Sequence, residues 1–200
     1  MFSDTHSAVA AELSMDVMVR QAMLKWPTVP ACAGWLSLDA RGTWRLAGET
    51  IQHAGIQAFF ARNYCHDAQG RWFVQNGPQR VYVDLARAPF GLRAEADGSG
   101  LFTHTGAHPD RLDRLIVTEL GEIYFVTECG LGHLCDRDLD SVVTRICADS
   151  GSIGSAFFSA PETFTQAPAP LGWNGRQFNG LYLADQQLEQ TFNFTRRPAP

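Results

Sequence analysis

Apolar residues in the first part of the chain recur at the spacing of a helix. Between residues 7 and 26 they fall on one side of a helical projection, and Pro27 and Pro30 follow directly. The apolar positions are Val9, Leu13, Val17, Met18 and Leu24. We therefore expect an N-terminal helix and a linker over residues 1–30. A methionine-rich stripe at this spacing is more typical of a core face than of a partner-binding surface.

The following segment changes to a period of two and then returns to the helical period. Leu36 and Leu38 alternate with polar neighbours before Gly42, and Trp44 and Leu46 continue the alternation after it. This is the pattern of a β-hairpin with one apolar face. The residues after the hairpin predict a helix with one strongly apolar side. The apolar residues of that helix are Ile56, Phe59 and Phe60.

A second hairpin is predicted over residues 72–83. Asn76 and Gly77 tolerate positive φ angles, so we expect them to form its turn. The candidates for burial in the two strands are Trp72, Val74, Val81 and Val83. The alternation of side chains along a strand then places three residues on the opposite, polar face. These residues are Arg80, Tyr82 and Asp84.

The hairpin-helix pattern returns about 80 residues later, over residues 115–148. The apolar spacing is the same, apart from four extra residues between hairpin and helix. We therefore expect residues 35–64 and 115–148 to superpose. The buried residues expected in the first copy are Leu36, Trp44, Phe59 and Phe60. Their expected counterparts are Leu115, Ile123, Val142 and Val143.

These patterns together predict an α+β fold with two similar lobes. Each lobe contains a β-hairpin, a helix and further antiparallel strands, and the N-terminal helix precedes them. We place the first lobe at residues 31–106 and the second at residues 107–200. The part after residue 151 contains Pro and Gly at short intervals and predicts short, irregular strands. The final residues, "RRPAP", are expected to be a frayed tail.

The charge distribution excludes one class of partner. The formal net charge is −5, and residues 99–150 contain nine Asp and Glu but only four Arg. Nucleic-acid binding needs a basic surface for the phosphates, so we expect no nucleic-acid partner. No segment approaches the roughly 20 consecutive apolar residues of a membrane-spanning helix, so we expect no membrane partner either.

The five cysteines raise the question of metal binding. Their number is odd, their spacing is irregular and no signal sequence precedes them, so we expect reduced thiols and a cytoplasmic protein. Cys129, His133 and Cys135 form a C-x3-H-x-C pattern, beside Asp136 as a fourth possible zinc ligand. This spacing matches no common zinc module. We expect no bound metal and leave zinc as the alternative.

Common catalytic and cofactor motifs do not occur in the sequence. It contains no G-x-S-x-G, H-E-x-x-H or G-x-x-x-x-G-K-[ST], and no G-x-G-x-x-G between a strand and a helix. Nucleotide hydrolysis and Rossmann-type redox chemistry are therefore disfavoured. We expect no cofactor.

The segment from Trp35 to Phe90 resembles an uncharacterised proteobacterial family, a domain of unknown function. Its pattern is G-x-W, RNY, GRWF and QNGPQRVYV, beginning at Gly42 and ending at Val83. The match is specific over about residues 31–106. More distantly, the sequence is similar to a family with two related lobes for which a signalling role has been suggested. Neither resemblance implies a known activity, so neither identifies a catalytic residue.

The best candidate site is the polar stretch around the second hairpin. Turn geometry accounts for Asn76 and Gly77, and Asn63 is expected to tie the helix end to a neighbouring backbone. Two guanidinium groups and a glutamine remain without a structural reason, and guanidinium groups bind carboxylates and phosphates well. The predicted binding residues are Arg62, Gln79, Arg80, Tyr82 and His53. Their predicted partner is an anionic small molecule or an acidic protein surface.

Two classes of function remain open. The first is a non-enzymatic module that binds a ligand or a protein partner in a regulatory or signalling role. The second is a small enzyme with a site between the lobes that uses His53 and Arg80, with His104 as a further candidate, since histidine titrates near neutral pH. A helix-start histidine bound to the backbone is the more common role for His53, and the same argument applies to His66 and His104. The sequence favours the binding module.

Overall fold

The structure, a computed structural model, describes residues 16–25 and 29–199. Its fold is mixed α+β with two sheets, as the sequence predicts. The chain divides into two compact units. The first contains the described residues up to Asp39, Thr43–Arg87 and the segment from Asn193 onward, and the second contains Ala40–Gly42 and Ala88–Phe192. Whether residues 31–106 and 107–200 fold as independent domains stays a prediction.

The first unit contains a six-stranded sheet and two helices. The helices are α1 (Val17–Lys25) and α2 (Ala54–Arg62). The strands are β1 (Cys32–Leu38), β2 (Trp44–Leu46), β3 (Glu49–Thr50), β4 (Tyr64–His66), β5 (Trp72–Asn76) and β6 (Gln79–Leu85). They lie in the order β3-β2-β1-β6-β5-β4, with β1 parallel to β6 and the other pairs antiparallel. Both predicted hairpins are confirmed.

The main core of this unit lies on one face of the sheet. Leu36 and Leu38 are opposite Val83 and Leu85 in the β1–β6 register, and all four are buried. Trp44 pairs with Leu38 across the hairpin and is buried too. Full burial of such side chains stabilises the fold by about 1.5–3 kcal/mol each. The alternating pattern therefore identifies the inward face of this hairpin correctly.

Helix α2 contributes less to the core than its apolar pattern predicts. Phe60 packs edge-on against Trp44, with ring centroids 5.4 Å apart. No residue of α2 is buried, however, and Ile56 is 43% exposed. The expected burial of Phe59 and Phe60 is wrong, because Phe60 packs against Trp44 and Phe59 against the cluster around Val19, and neither ring is fully enclosed. Both rings are half-buried.

The other face of the first sheet carries a smaller apolar cluster. Val19 of α1 packs with Cys65, Phe73 and Tyr82, and all four are buried. The expectation that Tyr82 lies on a solvated polar face is wrong, because α1 covers part of that face. Tyr82 meets Phe73 edge-on at 5.8 Å between ring centroids, and its hydroxyl donates to Asp67 at 3.3 Å.

The apolar stripe predicted for the N-terminal helix is only partly described. Val9 and Leu13, with the predicted helix start at residue 7, lie outside the described residues. Met18 and Leu24 are 81% and 86% exposed, and Val17 is 59% exposed. The expected core role is therefore wrong for these three residues, because α1 turns a different side, that of Val19, to the sheet.

The C-terminal segment packs onto the first unit. The backbone N–H of Leu85 donates to the carbonyl of Arg196 at 2.8 Å, and that of Thr195 donates to the carbonyl of Gly70 at 3.0 Å. Phe194 is buried at 4% exposure. The expectation of a frayed tail is therefore wrong for residues 196–199, because hydrogen bonds to Arg196 and Ala199 hold the segment on the first unit.

The second unit contains a seven-stranded sheet and three helices in its described residues. The strands are β7 (Phe90–Ala94), β8 (Leu101–Thr103), β9 (Leu112–Val117), β10 (Ile123–Thr127), β11 (Gly130–Leu134), β12 (Ala169–Trp173) and β13 (Arg176–Tyr182). The helices are α3 (Leu139–Ser150), α4 (Ser152–Ser159) and α5 (Leu188–Thr191). The strand order is β12-β13-β9-β10-β11-β7-β8.

Helix α3 closes the core of the second unit. Val142 and Ile146, one turn apart, are buried, whereas Val143 is half-buried and does not reach the burial expected from its spacing. Leu115 and Ile123 are buried as predicted. The part after residue 151 is more regular than the sequence suggests, because α4 and the β12–β13 hairpin occupy it.

The two sheets share an order of elements. In the first unit, β1, β2 and β3 precede α2, and β6 then returns parallel to β1. In the second unit, β9, β10 and β11 precede α3, and β13 returns parallel to β9. β5 lies beside β6, and β12 lies beside β13. The superposition of residues 35–64 on residues 115–148 stays a prediction.

Candidate functional site

Arg62 and Asn63, at the end of α2, hold the start of α1. Arg62 Nε donates to Asp16 Oδ1 at 3.0 Å. Asn63 Nδ2 donates to the carbonyl of Phe59 at 2.9 Å, and Asn63 Oδ1 accepts the backbone N–H of Asp16 at 3.1 Å. Hydrogen bonds from Arg62 and Asn63 lower the pKa of Asp16. The expected structural role of Asn63 is confirmed, and Arg62 also has a structural partner.

Replacing Asn63 with Ala is expected to lower the free energy of unfolding by about 1–2 kcal/mol, because it removes the side-chain hydrogen bonds to the backbone N–H of Asp16 and to the carbonyl of Phe59. Asn63 is 1% exposed, so water does not replace the lost amide. The measurement is urea denaturation. Arg62→Ala is the control and should cost less than about 1 kcal/mol, as for other exposed ion pairs. Equal losses in the two variants would contradict the assignment.

The turn of the second hairpin differs by one residue from the prediction. Asn76 ends β5 and pairs with Gln79, so Gly77 and Pro78 form the loop. Gly77 has a φ of +58°, which glycine adopts without a Cβ penalty. Gln79 Nε2 donates to the carbonyl of Pro30 at 3.2 Å. The side-chain amide of Gln79 therefore contacts the segment before β1 and already has one partner within the protein.

His53 is the N-cap of α2. Its Nδ1 accepts the backbone N–H of Gly55 at 3.1 Å and that of Ile56 at 3.4 Å. An N-cap side chain supplies the acceptor that the first turn of a helix lacks. The ring nitrogen that would act as a base therefore already accepts hydrogen bonds from the backbone. This is the structural role that the sequence predicts as the more common one for a histidine at a helix start.

Arg80 is the predicted residue whose polar atoms stay accessible. Its guanidinium carbon lies 4.7 Å from the centroid of the Phe73 ring, a cation–π geometry. Within the described residues its guanidinium makes this ring contact and no ion pair. Asp84, which the sequence places on the same face, pairs with Arg197 at 2.9 Å. The donors of Arg80 are therefore not used by other described residues, and a role of this residue in binding stays a prediction.

Two other histidines serve the fold. His66 Nδ1 lies 3.0 Å from the carbonyl of Asp67, and its ring stacks beside Trp72. His104 Nδ1 accepts the backbone N–H of Gly91 at 3.3 Å. Burial lowers the pKa of His104 to about 3, so the ring is neutral at pH 7.

Cys129, His133 and Cys135 do not form a shared metal site. Strand β11 runs from Gly130 to Leu134, so the two cysteines lie beyond opposite ends of an extended strand. His133 contacts Glu122 through Nε2, and its Nδ1 lies 3.0 Å from the carbonyl of Ala40. Within residues 16–25 and 29–199, no group of three His, Cys, Asp or Glu side chains is arranged to hold a metal ion.

A cavity of about 530 Å³ opens in the second unit, at a place that the sequence did not indicate. It lies at the carboxyl ends of β9 and β13, two neighbouring parallel strands that end at Val117 and Tyr182. Ligands of open α/β sheets often bind beyond the carboxyl ends of parallel strands. The apolar side chains that line this cavity are Val117, Ile123, Leu139, Val143, Phe158 and Pro161.

Four polar residues also line this cavity: Thr118, Glu119, Glu162 and Tyr182. Thr118 is 2% exposed, and its hydroxyl has no hydrogen-bond partner among the described residues. Glu119 Oε2 accepts the backbone N–H of Asp185 at 2.8 Å. The carboxylate of Glu162 and the hydroxyl of Tyr182 bind no neighbour within the described part of the chain. We call this feature the β9–β13 cavity.

The first unit also contains a groove of about 560 Å³ beside α1. Its lining is Asp16, Val17, Met18, Val19, Phe59, Asn76 and Gly77. The carboxylate of Asp16 is already paired with Arg62, so this groove offers a ligand fewer available polar groups than the β9–β13 cavity.

The fold and the two cavities define a two-unit α+β protein with candidate sites for binding. A family model described as "Protein of unknown function (DUF2946)" matches residues 15–199, and the chain belongs to this family. No curated protein has a sequence that matches it.

Two solved structures match this chain to different extents. One is a DUF1285 family protein from Silicibacter pomeroyi DSS-3, with a TM-score of 0.50 and 14% identity, covering 92% of this chain and 97% of that one. The other is a DUF1285 family protein from Shewanella baltica OS155, with a TM-score of 0.42 and 21% identity, covering 55% of this chain and 91% of that one. The first likeness concerns the fold alone. None of the described helices is long and apolar enough to cross a membrane.

Proposed function

We propose that the protein is a non-enzymatic binding module in which the β9–β13 cavity holds a small molecule. The observation that carries this proposal is a cavity with an apolar wall and polar groups that the fold leaves unused, namely Thr118, Glu162 and Tyr182. Its volume lies within the range of about 300–1,000 Å³ that is usual for ligand sites. We propose that this binding serves a regulatory or signalling role.

The alternative is a small enzyme that uses His53 and Arg80. The contacts of His53 favour the binding module, because its Nδ1 is occupied by two backbone N–H groups. His104 is an equally weak candidate for a base, since burial keeps its pKa near 3. The enzyme therefore stays the second proposal.

Two further features are part of the proposal. The shared order of strands and helix supports the idea that the two units are copies of one module. The five thiols, which form no disulfide, support a cytoplasmic location, because disulfides persist mainly in oxidising compartments.

A fragment screen against the purified protein tests the binding site. We expect at least one fragment with an apolar body to raise the melting temperature, since ligand at a hundredfold excess over Kd stabilises by about 2.7 kcal/mol. Val143→Trp places an indole into the cavity and should abolish that shift. Leu139→Trp, from the first turn of the same helix, replaces it if the first variant does not fold. A shift that survives in the folded blocking variant would contradict this location.

Arg80 is a second candidate binding point, on the first unit. An exposed guanidinium with unused donors can bind a carboxylate in a bidentate manner. The first unit carries nine Lys and Arg against seven Asp and Glu, which also suits an anionic molecule or an acidic protein surface.

Replacing Arg80 with Ala is expected to change the free energy of unfolding by less than about 1 kcal/mol, because the residue is exposed. The same change should weaken binding of a poly-glutamate peptide, measured by fluorescence anisotropy at low salt. Arg20→Ala, which removes another exposed arginine of this unit, is the control and should retain binding. A large loss of stability in Arg80→Ala would instead make Arg80 a structural residue.

A further inference from the structure

The charges around the β9–β13 cavity indicate what kind of ligand it takes. Glu119 and Glu162 line it, and no Lys, Arg or His is among its lining residues. A ligand carboxylate or phosphate would therefore meet two negative charges without a compensating cation. A ligand cation would meet two carboxylates, of which Glu162 has no other partner in the described part of the chain.

The surrounding unit has the same sign of charge. The second unit contains fourteen Asp and Glu against seven Arg, a formal charge of −7, whereas the first unit is at +2. All of the net negative charge of the protein therefore belongs to the unit that contains the cavity. Such a field attracts cations and raises their rate of association.

The remaining lining suits the rest of such a ligand. Ile123, Leu139 and Phe158 offer apolar surface, and the aromatic ring of Tyr182 can stabilise a cation by a cation–π contact. The buried hydroxyl of Thr118 is the second, independent sign of a ligand, because burying a polar group without a partner costs free energy.

We infer that the β9–β13 cavity binds a small organic cation, an ammonium group attached to an apolar body. Glu119 and Glu162 bind the ammonium group, and the apolar wall binds the body. The inference rests on the proposed function, because it names the ligand class of the same cavity.

Three probes with one apolar body and different head groups test the inference: 4-phenylbutylammonium, 4-phenylbutanol and 4-phenylbutyrate. Their Kd values are measured by protein NMR titration at low salt. We expect the ammonium to bind about tenfold more tightly than the alcohol. The butyrate should bind more weakly than the alcohol, since the carboxylates repel it.

Charge-removing variants identify the residues responsible. Glu119→Gln and Glu162→Gln should each weaken binding of the ammonium about two- to fivefold and leave binding of the alcohol unchanged. Asp110→Asn is the matched control, because Asp110 precedes β9 at the end of the strand opposite to the cavity. It removes one negative charge from the same unit and should retain full binding of the ammonium.

The outcomes separate this inference from the proposed function. Equal binding of the ammonium and the alcohol, both lost in Val143→Trp, would overturn the cation class and leave the cavity as a ligand site. Unchanged ammonium binding in both Glu→Gln variants would overturn it as well. Failure of all three probes to bind the folded protein would overturn the cation class, and failure of the fragment screen would overturn the site itself.

Discussion

Gly70→Ala is expected to lower the free energy of unfolding by at least about 3 kcal/mol, which combines overpacking and a left-handed backbone. Gly70 has a φ of +72° in the turn before β5. A methyl group there would overlap the carbonyl oxygen of Asn193 and lie 2.9 Å from the Cα of Phe194. These are backbone atoms, so no side-chain rotation relieves the overlap.

Gly48→Ala separates the two causes of that loss. Gly48 has a φ of +87°, and a methyl group there would meet no atom within 4 Å. It should therefore cost only the left-handed backbone penalty of about 1–2 kcal/mol. Urea denaturation of both variants gives the comparison. Equal losses would mean that the C-terminal segment moves away from Gly70 without cost.

His104 is expected to make the protein lose stability in mild acid. The unfolded chain binds a proton on this histidine near pH 6.5, whereas the folded protein does so only near pH 3. Folding therefore excludes the proton, and the loss begins as the pH falls through about 6.5 and continues toward 3. The contribution between pH 6.5 and 4.5 is about 2 kcal/mol, at 1.36 kcal/mol per pKa unit.

His104→Gln tests this by removing the titrating group and keeping an amide near Gly91. Between pH 6.5 and 4.5, the variant should lose about 2 kcal/mol less stability than the wild type. His108→Gln, which removes an exposed histidine paired with Glu95 in the same unit, is the control and should follow the wild type to within about 1 kcal/mol. If the free energy of unfolding of His104→Gln and of the wild type changed with pH in parallel, the prediction would be wrong, because solvent would then reach the His104 ring.

The sequence predicts the hairpins well because their signal is local. Leu36, Leu38, Trp44, Leu115 and Ile123 are all buried as their alternation indicates. Alternate residues of a strand point to the same face, so an alternating strand has one apolar face. That face turns to the core whichever strand lies beside it. The α+β class and the two-lobe layout follow from these strands and from the helices between them.

The predictions that failed depend on contacts between distant parts of the chain. Tyr82 lies between two valines in an alternating strand, so the sequence predicts that its side chain points to solvent, yet α1 covers its ring. Phe59 and Phe60 have a core spacing, yet they contact two different clusters and neither ring is buried. No local pattern states which segments will cover a second face of a sheet.

The candidate sites differ in the same way. Arg80 could be selected from the sequence, because neither the turn nor the core requires a guanidinium there. Glu119 and Glu162 could not, because Glu119 lies in the turn after β9 and Glu162 in the 3-10 helix Pro161–Phe164, and these segments meet only in the folded unit. In the sequence, neither glutamate differs from an ordinary surface carboxylate.

The return of residues 193–199 to the first unit has a consequence for synthesis on the ribosome. The second unit is almost one continuous stretch, Ala88–Phe192, whereas the first unit needs residues from both sides of that stretch. During translation, the backbone groups of Gly70 and Leu85 therefore lack these partners until Thr195 and Arg196, about 125 and 110 residues later, have been synthesised. The first unit is therefore completed after the second, and until then the backbone N–H of Leu85 in β6 lacks the carbonyl of Arg196 as its partner.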